Sequence, residues 1–285
     1  MPEHYPVMLA ETLEYLAIRA DGLYCDATAG LGGHTRAIAE RLTAGGKLIA
    51  NDRDAESLEI ARANAAEFAD RIVFRHAEFA ELDYSGLDGL VADLGTSRFQ
   101  LTGAERGFSF QSDGPLDMRL DRSRGVTAAD LVNHSAEKAI ADWLYQFGEE
   151  RRARRIARAI VKARPIRSTL HLAGVVERAV PRTGPIHPAT RTFQALRIAV
   201  NGEMEQLDAL LNAAPRMMRP GGRIVMISFH SLEDRKVKES FRELARSGQA
   251  TLLTKKPIVP SEQEVRTNPP SRSAKLRAVE TLATK

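Results

Sequence analysis

The chain has 285 residues, of which 43% are hydrophobic, a formal net charge of +4 and a single cysteine, Cys25. This length suits one large domain or one domain that carries an insertion. The lone cysteine excludes an internal disulfide framework, no apolar run is long enough for a membrane span, and residues 1–6 lack the layout of a signal peptide. We therefore expect a cytoplasmic protein that does not bind a membrane.

A strand, a glycine turn and a helix follow one another near the start of the chain. Residues 23–25 favour an extended strand that ends at the acid Asp26. Three glycines come next, Gly30, Gly32 and Gly33, and apolar residues then recur at helical spacing over 35–42. Glycines let a backbone turn sharply and approach a ligand closely. The stretch therefore predicts the nucleotide-binding edge of an α/β sheet.

The details of this turn favour one type of nucleotide ligand. The dinucleotide fingerprint requires a glycine where this chain has Thr35. Asp26 suits S-adenosylmethionine better, because that molecule carries an ammonium group and no pyrophosphate. A second strand over 47–52 ends in Asp52, and a carboxylate there can accept both hydroxyls of an adenosine ribose. The alternative that Asp52 caps a helix beginning near Ala55 stays open.

The alternation of predicted strands and helices continues to residue 93. The pattern predicts helices over 7–18 and 55–68 and strands over 72–76 and 87–93. Alternating strands and helices are typical of a doubly wound parallel sheet, in which ligands bind at the carboxyl ends of the strands. Asp26, Asp52 and Asp93 all stand at such ends. We therefore expect the three carboxylates to lie around one site.

After Asp93 the alternation of strands and helices stops. A polar loop with several glycines and aromatics spans 95–124, and loops of this length are uncommon unless they are functional or disordered. Its dispersed apolar residues argue against disorder. Helices follow over 127–132, over 136–147 with Ser135 as the cap, over 149–164 and over 168–179. Residues 103–188 are therefore predicted to be a helical insertion, which divides the methyl-donor domain into 1–102 and 189–285.

The helix predicted over 149–164 is strongly basic. Its apolar residues form one stripe, and most of its arginines lie off that stripe; the stripe consists of Ala153, Ile156, Ala157, Ile160 and Val161. Few acids balance the arginines. Two alternatives stay open, a solvated charged face and a surface that contacts RNA.

The sheet is predicted to resume near the end of the chain. Helices over 187–200 and 203–218 and a turn over 219–222 lead into a strand over 222–228. A helix over 232–246 follows, and the segments 250–253 and 274–280 are predicted to be closing antiparallel strands. The loop between those strands, over 255–272, carries prolines and basic residues.

At this point the chain resembles a known family, ribosomal RNA small subunit methyltransferase H, whose members methylate the N4 amine of a cytosine in 16S RNA. The matching segments occur in order along nearly the whole chain and are highly specific as a set. They are 26–34, 52–54, 105–110, 113–119, 148–151, 155–160, 187–197, 227–235 and 271–277. The resemblance implies a class I, Rossmann-like methyltransferase with S-adenosylmethionine as the donor.

The resemblance also implies which residues bind the donor and what the substrate is. The donor would contact Gly32, Gly33 and His34 in the turn, Asp52 at the ribose, Phe79 beside the adenine, and Asp93 and Gln100 after the fourth strand. Phe79 and Gln100 come from the family alone. The substrate implied is ribosomal RNA within the assembled small subunit. The oligomeric state stays open, with a homodimer as one alternative.

The segment 93–102 departs from the family pattern at Thr96, Arg98 and Thr102, where the family has valine, serine and aspartate. An arginine beside a sulfonium is unfavourable, so we expect the Arg98 side chain to point outward. Many amino-methyltransferases carry an Asn/Asp-Pro-Pro-aromatic turn after the fourth strand, and this chain does not. The similar Asn268-Pro-Pro-Ser271 lies far from that strand and lacks the aromatic, so we exclude it as the amine site.

Three residues are candidates for catalysis: Asp93, Asp117 and His230. A cytosine amine is a poor nucleophile, so the enzyme must hold its nitrogen in line with the methyl group and supply an acceptor for its proton. Asp93 follows the fourth strand, Asp117 lies in the long loop, and His230 follows the fifth strand. For Asp117 and His230 a purely structural role is the alternative. No cluster has metal-ligand spacing, and we expect no metal.

Two other classes of protein stay open on the residues alone. A nicotinamide-dependent oxidoreductase would share the sheet and Asp52, but it would favour glycine at position 35 and would not explain Asp26. A non-catalytic RNA-binding protein would explain the basic helix, but it would not need three strand-end acids around a glycine turn.

Overall fold

The computed structural model describes residues 6–182, 184 and 186–283, apart from the side chain of Arg98. Residues 1–5, which are most of the segment that lacks the layout of a signal peptide, lie outside this range. Among the described residues, no helix is both long enough and apolar enough to cross a membrane. The chain forms two compact units. We call Met1–Gly95 together with Glu205–Lys285 the sheet unit, and Thr96–Met204 the helical unit.

The sheet unit contains one seven-stranded sheet in the order β3-β2-β1-β4-β5-β7-β6. Its strands are β1 (Leu23–Asp26), β2 (Lys47–Asp52), β3 (Ile72–His76), β4 (Leu87–Asp93), β5 (Met218–Ser228), β6 (Ala250–Leu252) and β7 (Lys275–Thr281). Strands β1 to β5 pair in parallel, and β7 is antiparallel to both β5 and β6. The predicted parallel sheet with two closing antiparallel strands is confirmed.

The strand order identifies where this sheet binds a ligand. From β1 the chain proceeds outward through β2 to β3 on one side, and β4 and β5 lie on the other side. This reversal between β1 and β4 is a topological switch point, where open α/β sheets bind ligands beyond the carboxyl ends of the strands. Asp26, Asp52 and Asp93 are the last residues of β1, β2 and β4.

Twelve α-helices are assigned among the described residues. They are α1 (Leu9–Leu16), α2 (Gly33–Ala39), α3 (Ala55–Asn64), α4 (Arg98–Thr102), α5 (Ala128–His134), α6 (Glu137–Gln146), α7 (Ala153–Lys162), α8 (Thr169–Ala179), α9 (Ala189–Asn201), α10 (Glu203–Met217), α11 (Ser231–Arg246) and α12 (Glu262–Thr267). Short 3-10 helices also occur, at Ala66–Phe68, Phe79–Glu81, Ala104–Arg106 and Pro269–Ser273.

Both faces of the sheet are buried. Successive residues of β4 point to opposite sides, so Leu90 belongs to one apolar cluster and Val91 to the other. Ile224 and Val225 of β5 divide in the same way. Such near-continuous apolar strands are typical of a parallel sheet covered on both sides. The helical unit has an apolar core of its own, which includes Leu144, Ile156 and Leu196.

Several predicted boundaries of helices and strands are wrong for local reasons. The basic helix begins at Ala153 rather than at residue 149, because Glu149 has a left-handed φ of 49° that a helix cannot include. Ser135 does not cap α6; Ala136 takes the N-cap position, and Ser135 ends α5. Strand β5 begins at Met218, so residues 219–222 lie within that irregular strand and do not form a separate turn.

The long polar loop of the helical unit is ordered by close backbone packing. A Cβ atom added to Gly107 would lie 2.2 Å from the Pro115 carbonyl oxygen, and one added to Gly114 would lie 2.0 Å from that of Ala104. The buried side chain of Asn201 donates to the Met118 carbonyl oxygen at 2.7 Å and accepts from the Leu120 N–H at 2.8 Å. Phe108, Leu116 and Met118 contribute to the core, so the expectation of order is confirmed.

Candidate active site

The glycine turn between β1 and α2 needs backbone conformations that side chains disfavour. Gly30 and Gly32 have φ values of 52° and 89°. A Cβ atom on Gly32 would lie 3.0 Å from the Ala61 Cα atom of α3, and one on Gly33 would lie 3.0 Å from the Pro6 Cβ atom. The turn therefore packs between α3 and the segment before α1. Glycine is required here for its φ and for the lack of space around it.

Asp26 stabilises this turn through hydrogen bonds from both of its ends. Its Oδ2 atom accepts from the Thr35 hydroxyl at 2.7 Å, and its Oδ1 atom accepts from the Thr28 N–H at 3.1 Å. Asp26 is buried, and burial raises the pKa of its carboxyl to about 6 even though both hydrogen bonds lower it. Thr35, which breaks the dinucleotide fingerprint, is therefore a partner of the strand-end acid.

Asp52 joins β2 to the same turn. Its Oδ2 atom accepts from the Gly30 N–H at 2.7 Å, and its Oδ1 atom accepts from the Asp54 N–H at 2.8 Å. Burial raises the pKa of the Asp52 carboxyl to about 6, against the lowering effect of these two bonds. Each oxygen keeps a further lone pair that can accept a ligand hydroxyl. The geometry suits a carboxylate that binds the two hydroxyls of a ribose.

The alternative in which Asp52 caps the next helix is wrong. Helix α3 begins at Ala55, and its N-cap residue is Asp54. The Asp54 Oδ1 atom accepts from the N–H groups of Glu56 and Ser57 at 3.2 and 3.4 Å. Because Asp54 satisfies the first turn of α3, the Asp52 carboxylate is not needed there.

Asp93 lies beside the turn with an unsatisfied oxygen. Its side chain is 22% exposed overall, yet its Oδ1 atom is buried and has no hydrogen-bond partner among the described residues. Its Oδ2 atom is 3.8 Å from Nδ1 of His34. Burial raises the pKa of the Asp93 carboxyl well above its usual range, and the charges of Asp26, Glu233 and Glu264 raise it further. A buried acceptor of this kind suits a ligand that brings a cation or an N–H group.

His34 is anchored on its other side by the chain before α1. Its Nε2 atom lies 3.0 Å from the Val7 carbonyl oxygen, which can only accept, so Nε2 carries a hydrogen. This contact directs the Nδ1 atom toward Asp93. The structure therefore brings the turn glycines, His34, Asp52 and Asp93 of the predicted donor site together at the carboxyl edge of the sheet unit.

Two residues for which no role was predicted hold the loops around this edge. Asn51, which is fully buried, donates from Nδ2 to the carbonyl oxygens of Ala27 and Ala77, both at 3.2 Å. It thereby links the loop after β1 to the loop after β3. An asparagine before the strand-end acid Asp52 was the available signal, because a buried amide in a strand needs partners on neighbouring segments.

The second such residue is Gln206 of α10, which holds the 3-10 helix that contains Phe79. Its Oε1 atom accepts from the Ala80 N–H at 3.2 Å, and its Nε2 atom donates to Glu78 Oε2 at 2.7 Å. Arg53 donates to the other Glu78 oxygen at 3.3 Å. Phe79 itself is half-buried against the core of the sheet unit. No sequence signal could have paired Gln206 with a residue 126 positions away.

His230 is the N-cap residue of α11 and lies two residues after the end of β5. Its Nε2 atom is 3.1 Å from Oε1 of the buried Glu233, whose Oε2 atom accepts from the N–H groups of Phe229 and His230 at 2.9 and 3.3 Å. Glu233 therefore satisfies the two N–H groups just before the helix, and its other oxygen lies beside the imidazole. This contact is structural, and a catalytic role for His230 stays a prediction.

Asp117 and Gln100 belong to the helical unit, where each makes local contacts. Asp117 accepts from Nε and Nη2 of Arg119 at 2.7 and 3.0 Å. Burial alone would raise the pKa of Asp117, but the bonds from Arg119 outweigh it and the net pKa lies below its usual value. Asp117 is thus suited to hold Arg119 rather than to accept a proton. Gln100 is buried, and its Oε1 atom accepts from the Ser97 N–H at 2.8 Å. The predicted orientation of Arg98 concerns a side chain outside the described part of the structure.

The basic helix α7 exposes its charges in the helical unit. Ala153, Ile156, Ala157 and Ile160 are buried as predicted, while Val161 is half-buried. The exposed basic residues of the helix and the turn before it are Arg151, Arg152, Arg154, Arg155, Arg158 and Lys162. Arg158 lies 3.6 Å from Glu137, and its side chain is 78% exposed. This surface has few acids to balance it.

Strand order and site geometry define the class of this protein, a Rossmann-like methyltransferase. A putative rRNA-methylase from Clostridium thermocellum has the same fold, with a TM-score of 0.50, 10% sequence identity and coverage of 98% of both chains. The predicted class I fold is confirmed, with S-adenosylmethionine as the methyl donor of the class.

The chain belongs to the MraW methylase family, whose family model matches residues 1–282. It is 62% identical over 284 residues to ribosomal RNA small subunit methyltransferase H of Solibacter usitatus, covering 97% of this chain and 99% of that protein. It is 52% identical over 290 residues to the protein of the same name from Acidobacterium capsulatum, covering 97% and 98%. The resemblance stated from the motifs is confirmed, and the oxidoreductase and the non-catalytic RNA-binding protein are excluded.

Proposed function

We propose that this protein transfers the methyl group of S-adenosylmethionine to the N4 amine of a cytidine in 16S ribosomal RNA. The observation that carries this proposal is the full-length match to proteins named ribosomal RNA small subunit methyltransferase H. The strand-end site supports it, because carboxylates and a tight glycine turn suit a ligand with a ribose and a cationic amino acid group. The cytosine base and its N4 position follow from the motif resemblance.

The residues of the sheet unit would bind the donor in three places. The main chain of Gly32 and Gly33 would lie against it, with His34 beside them, and Asp52 would accept hydrogen bonds from the ribose hydroxyls. Phe79 would pack against the adenine. When bound, S-adenosylmethionine supplies an electrophilic methyl group on a sulfonium. Gln100 is proposed as a further donor contact on the family pattern alone.

Asp93 is the residue that we propose to act on the amine. The N4 nitrogen forms a bond to the methyl carbon while the sulfur–methyl bond breaks, and one amine proton must leave. The Asp93 Oδ1 atom, buried and without a partner among the described residues, would accept an amine N–H and orient the nitrogen lone pair. Its raised pKa suits a group that then holds a proton. His230 would orient the base, and Asp117 would act indirectly by fixing Arg119 in the long loop.

We further propose that the helical unit contacts the RNA. The exposed arginines of α7 would approach phosphates, for which no base recognition is needed. The predicted insertion 103–188 would then be the part of the chain that recognises the substrate. We propose the assembled small subunit in the cytoplasm as that substrate, since a folded subunit offers a fixed surface to a rigid basic helix. A homodimer is not needed by any residue of the donor site described above.

The experiment is labelled methyl transfer from S-adenosylmethionine to three acceptors: small subunits that lack the modification, free 16S RNA, and large subunits. We expect label in the small subunits and little in the others. Label in large subunits, or in none of the three while the donor still binds, would contradict the proposed substrate.

Two variants test the proposed roles of the carboxylates. Asp93→Asn should abolish methyl transfer, and its affinity for the donor should fall by a smaller factor than its rate of transfer. Asp117→Asn should retain measurable transfer. Equal rates for Asp93→Asn and the unmodified protein would remove Asp93 from the mechanism.

A further inference from the structure

A basic pocket lies in the sheet unit between α11, β6, β7 and the loop after β6. Four cationic side chains line it: Lys238, Arg242, Lys255 and Arg277. The donor-site residues named above do not take part in it. Phe241 and Leu252 are the apolar residues of its lining.

Among the described residues, Arg277 is the one cationic group of this pocket that forms an ion pair, with Asp234. Lys238 and Arg242 are four residues apart on α11 and thus lie on one face of the helix, an arrangement that is unfavourable for like charges. Neither of them, nor Lys255, forms an ion pair with any carboxylate in the described ranges. Two acids of α11 pair with cations other than Lys238 and Arg242. Glu243 pairs with Arg246, and Asp234 pairs with Arg277 and Lys275. A cluster of this kind costs stability unless an anion is present.

Arg277 and Thr254 give the pocket a fixed floor. Arg277 is 7% exposed and donates from Nε to Asp234 at 2.7 Å, which fixes the guanidinium. The Thr254 hydroxyl oxygen accepts from the Ala278 N–H at 3.0 Å. No acceptor within the described residues takes the Thr254 O–H, so it can donate into the pocket. A small pocket lined by cationic groups and a hydroxyl donor is suited to binding a phosphate group.

We propose that this pocket binds a backbone phosphate of the substrate RNA and forms an RNA contact separate from both the donor site and helix α7. The proposal rests on the proposed function, because an RNA substrate is what brings a chain of phosphates to the sheet unit. Phosphate contacts position an enzyme on its RNA without reading sequence. The pocket would therefore increase affinity for the subunit and leave the donor affinity and the identity of the methylated base unchanged.

The test compares charge reversals inside and beside the pocket. Lys255→Glu and Lys238→Glu each reverse one pocket charge. Lys256→Glu is the matched control, because Lys256 is exposed and adjacent in sequence but does not line the pocket. Arg277 is left in place, since its loss would leave the half-buried Asp234 without its main partner. Binding to small subunits is measured at several salt concentrations, and S-adenosylmethionine binding is measured separately.

We expect each pocket variant to weaken subunit binding about tenfold at low salt and to reduce the salt slope by about one unit, with donor affinity unchanged. The control should change binding by less than about threefold, as expected for long-range charge alone. Equal effects of Lys255→Glu and Lys256→Glu, or no effect of either pocket variant, would refute the proposal that the pocket binds an RNA phosphate. Binding is measured independently of methyl transfer. A failure of the unmodified protein to methylate small subunits would therefore refute the proposed function, and the comparison of variants would still decide the pocket.

Discussion

Replacing Asp52 with asparagine tests how the donor site is built. Both carboxylate oxygens accept backbone N–H groups, from Gly30 at 2.7 Å and from Asp54 at 2.8 Å. Asparagine has only one acceptor oxygen, so in either orientation its NH₂ group faces one of these N–H donors. The substitution keeps the size of the side chain, and it also removes the charge that a ribose hydroxyl would contact.

The expected effect follows from the bonds that are lost. A hydrogen bond to a charged group is worth about 1.5–3 kcal/mol. Loss of one ribose bond, together with distortion at Gly30, should weaken S-adenosylmethionine binding by about 2–3 kcal/mol, or roughly 30- to 150-fold. The free energy of unfolding should change by less than about 1 kcal/mol, because the unpaired N–H is offset by removal of a charge that burial already disfavours.

Isothermal titration with S-adenosylmethionine and urea unfolding measure the two quantities on the same samples. Asp21→Asn is the control, since Asp21 is exposed and precedes the opposite end of β1. A donor analogue without the 2′-hydroxyl gives a second comparison. The substitution Asp52→Asn should weaken binding of this analogue by a smaller factor than it weakens binding of the full donor. A folded Asp52→Asn protein that binds the donor within threefold of normal would refute the assignment of Asp52 to the ribose.

Three further predictions concern the same edge of the sheet. Gly32→Ala should weaken donor binding and lower the free energy of unfolding by at least about 2 kcal/mol, because the positive φ of Gly32 is combined with a 3.0 Å approach to α3. Gly86 is the control, since it has a φ of 74° and open space around it. In urea unfolding, Gly86→Ala should show only the cost of the φ, about 1 kcal/mol. Folded Asp26 and Asp52 have pKa values of about 6 against 3.8 ordinarily, so the folded state binds more protons between these values. Stability without the donor should therefore fall as pH rises from about 4 to 6, whereas titration calorimetry should show donor affinity rising over the same interval; affinity that is flat across it would contradict the role of these acids. Gln206→Leu should raise the KM for the donor about tenfold with kcat nearly unchanged, because it frees the turn that carries the proposed adenine contact. Gln206→Glu should not restore the KM, because its carboxylate would face Glu78. An unchanged KM in Gln206→Leu would show that the turn does not need this support.

The sheet could be predicted from the sequence because its signals are local. Each parallel strand is a short apolar run, and three of them end in an aspartate followed by a turn or a helix start. The strand bounds 47–52, 72–76 and 87–93 were predicted to the residue. The same local signals placed Asp26, Asp52 and Asp93 at one edge, and strand order then brings them to the switch point.

The errors occurred where several residues compete for one structural role. Asp52 and Asp54 both precede α3, and only the structure shows that Asp54 caps the helix while Asp52 bonds to the glycine turn. Glu149 looks like a good first-turn acid, but its left-handed φ moves the start of α7 to Ala153. Helix α12 was missed inside a loop with several prolines, where its Ser261 cap was the only strong local signal. Propensity does not decide between such neighbours when tertiary contacts do.

The supports of the site could not be predicted, because they join segments far apart in the chain. Gln206 contacts residues 126 and 128 positions earlier, and the carboxylate of Glu264 accepts from the Met8 N–H at 2.7 Å across 256 positions. Nothing in the composition around either residue indicates these partners. Such contacts are visible only once the fold has brought the segments together.

The measurement that tests the central claim most directly is nucleoside analysis of methylated RNA. Small subunits that lack the modification are incubated with the protein and S-adenosylmethionine, their 16S RNA is digested, and the nucleosides are separated and weighed by mass spectrometry. We predict a single new nucleoside, N4-methylcytidine, that is absent when Asp93→Asn replaces the unmodified protein. A methyl group on carbon 5 of cytidine, on the ribose or on another base would contradict the account of an amine held beside Asp93.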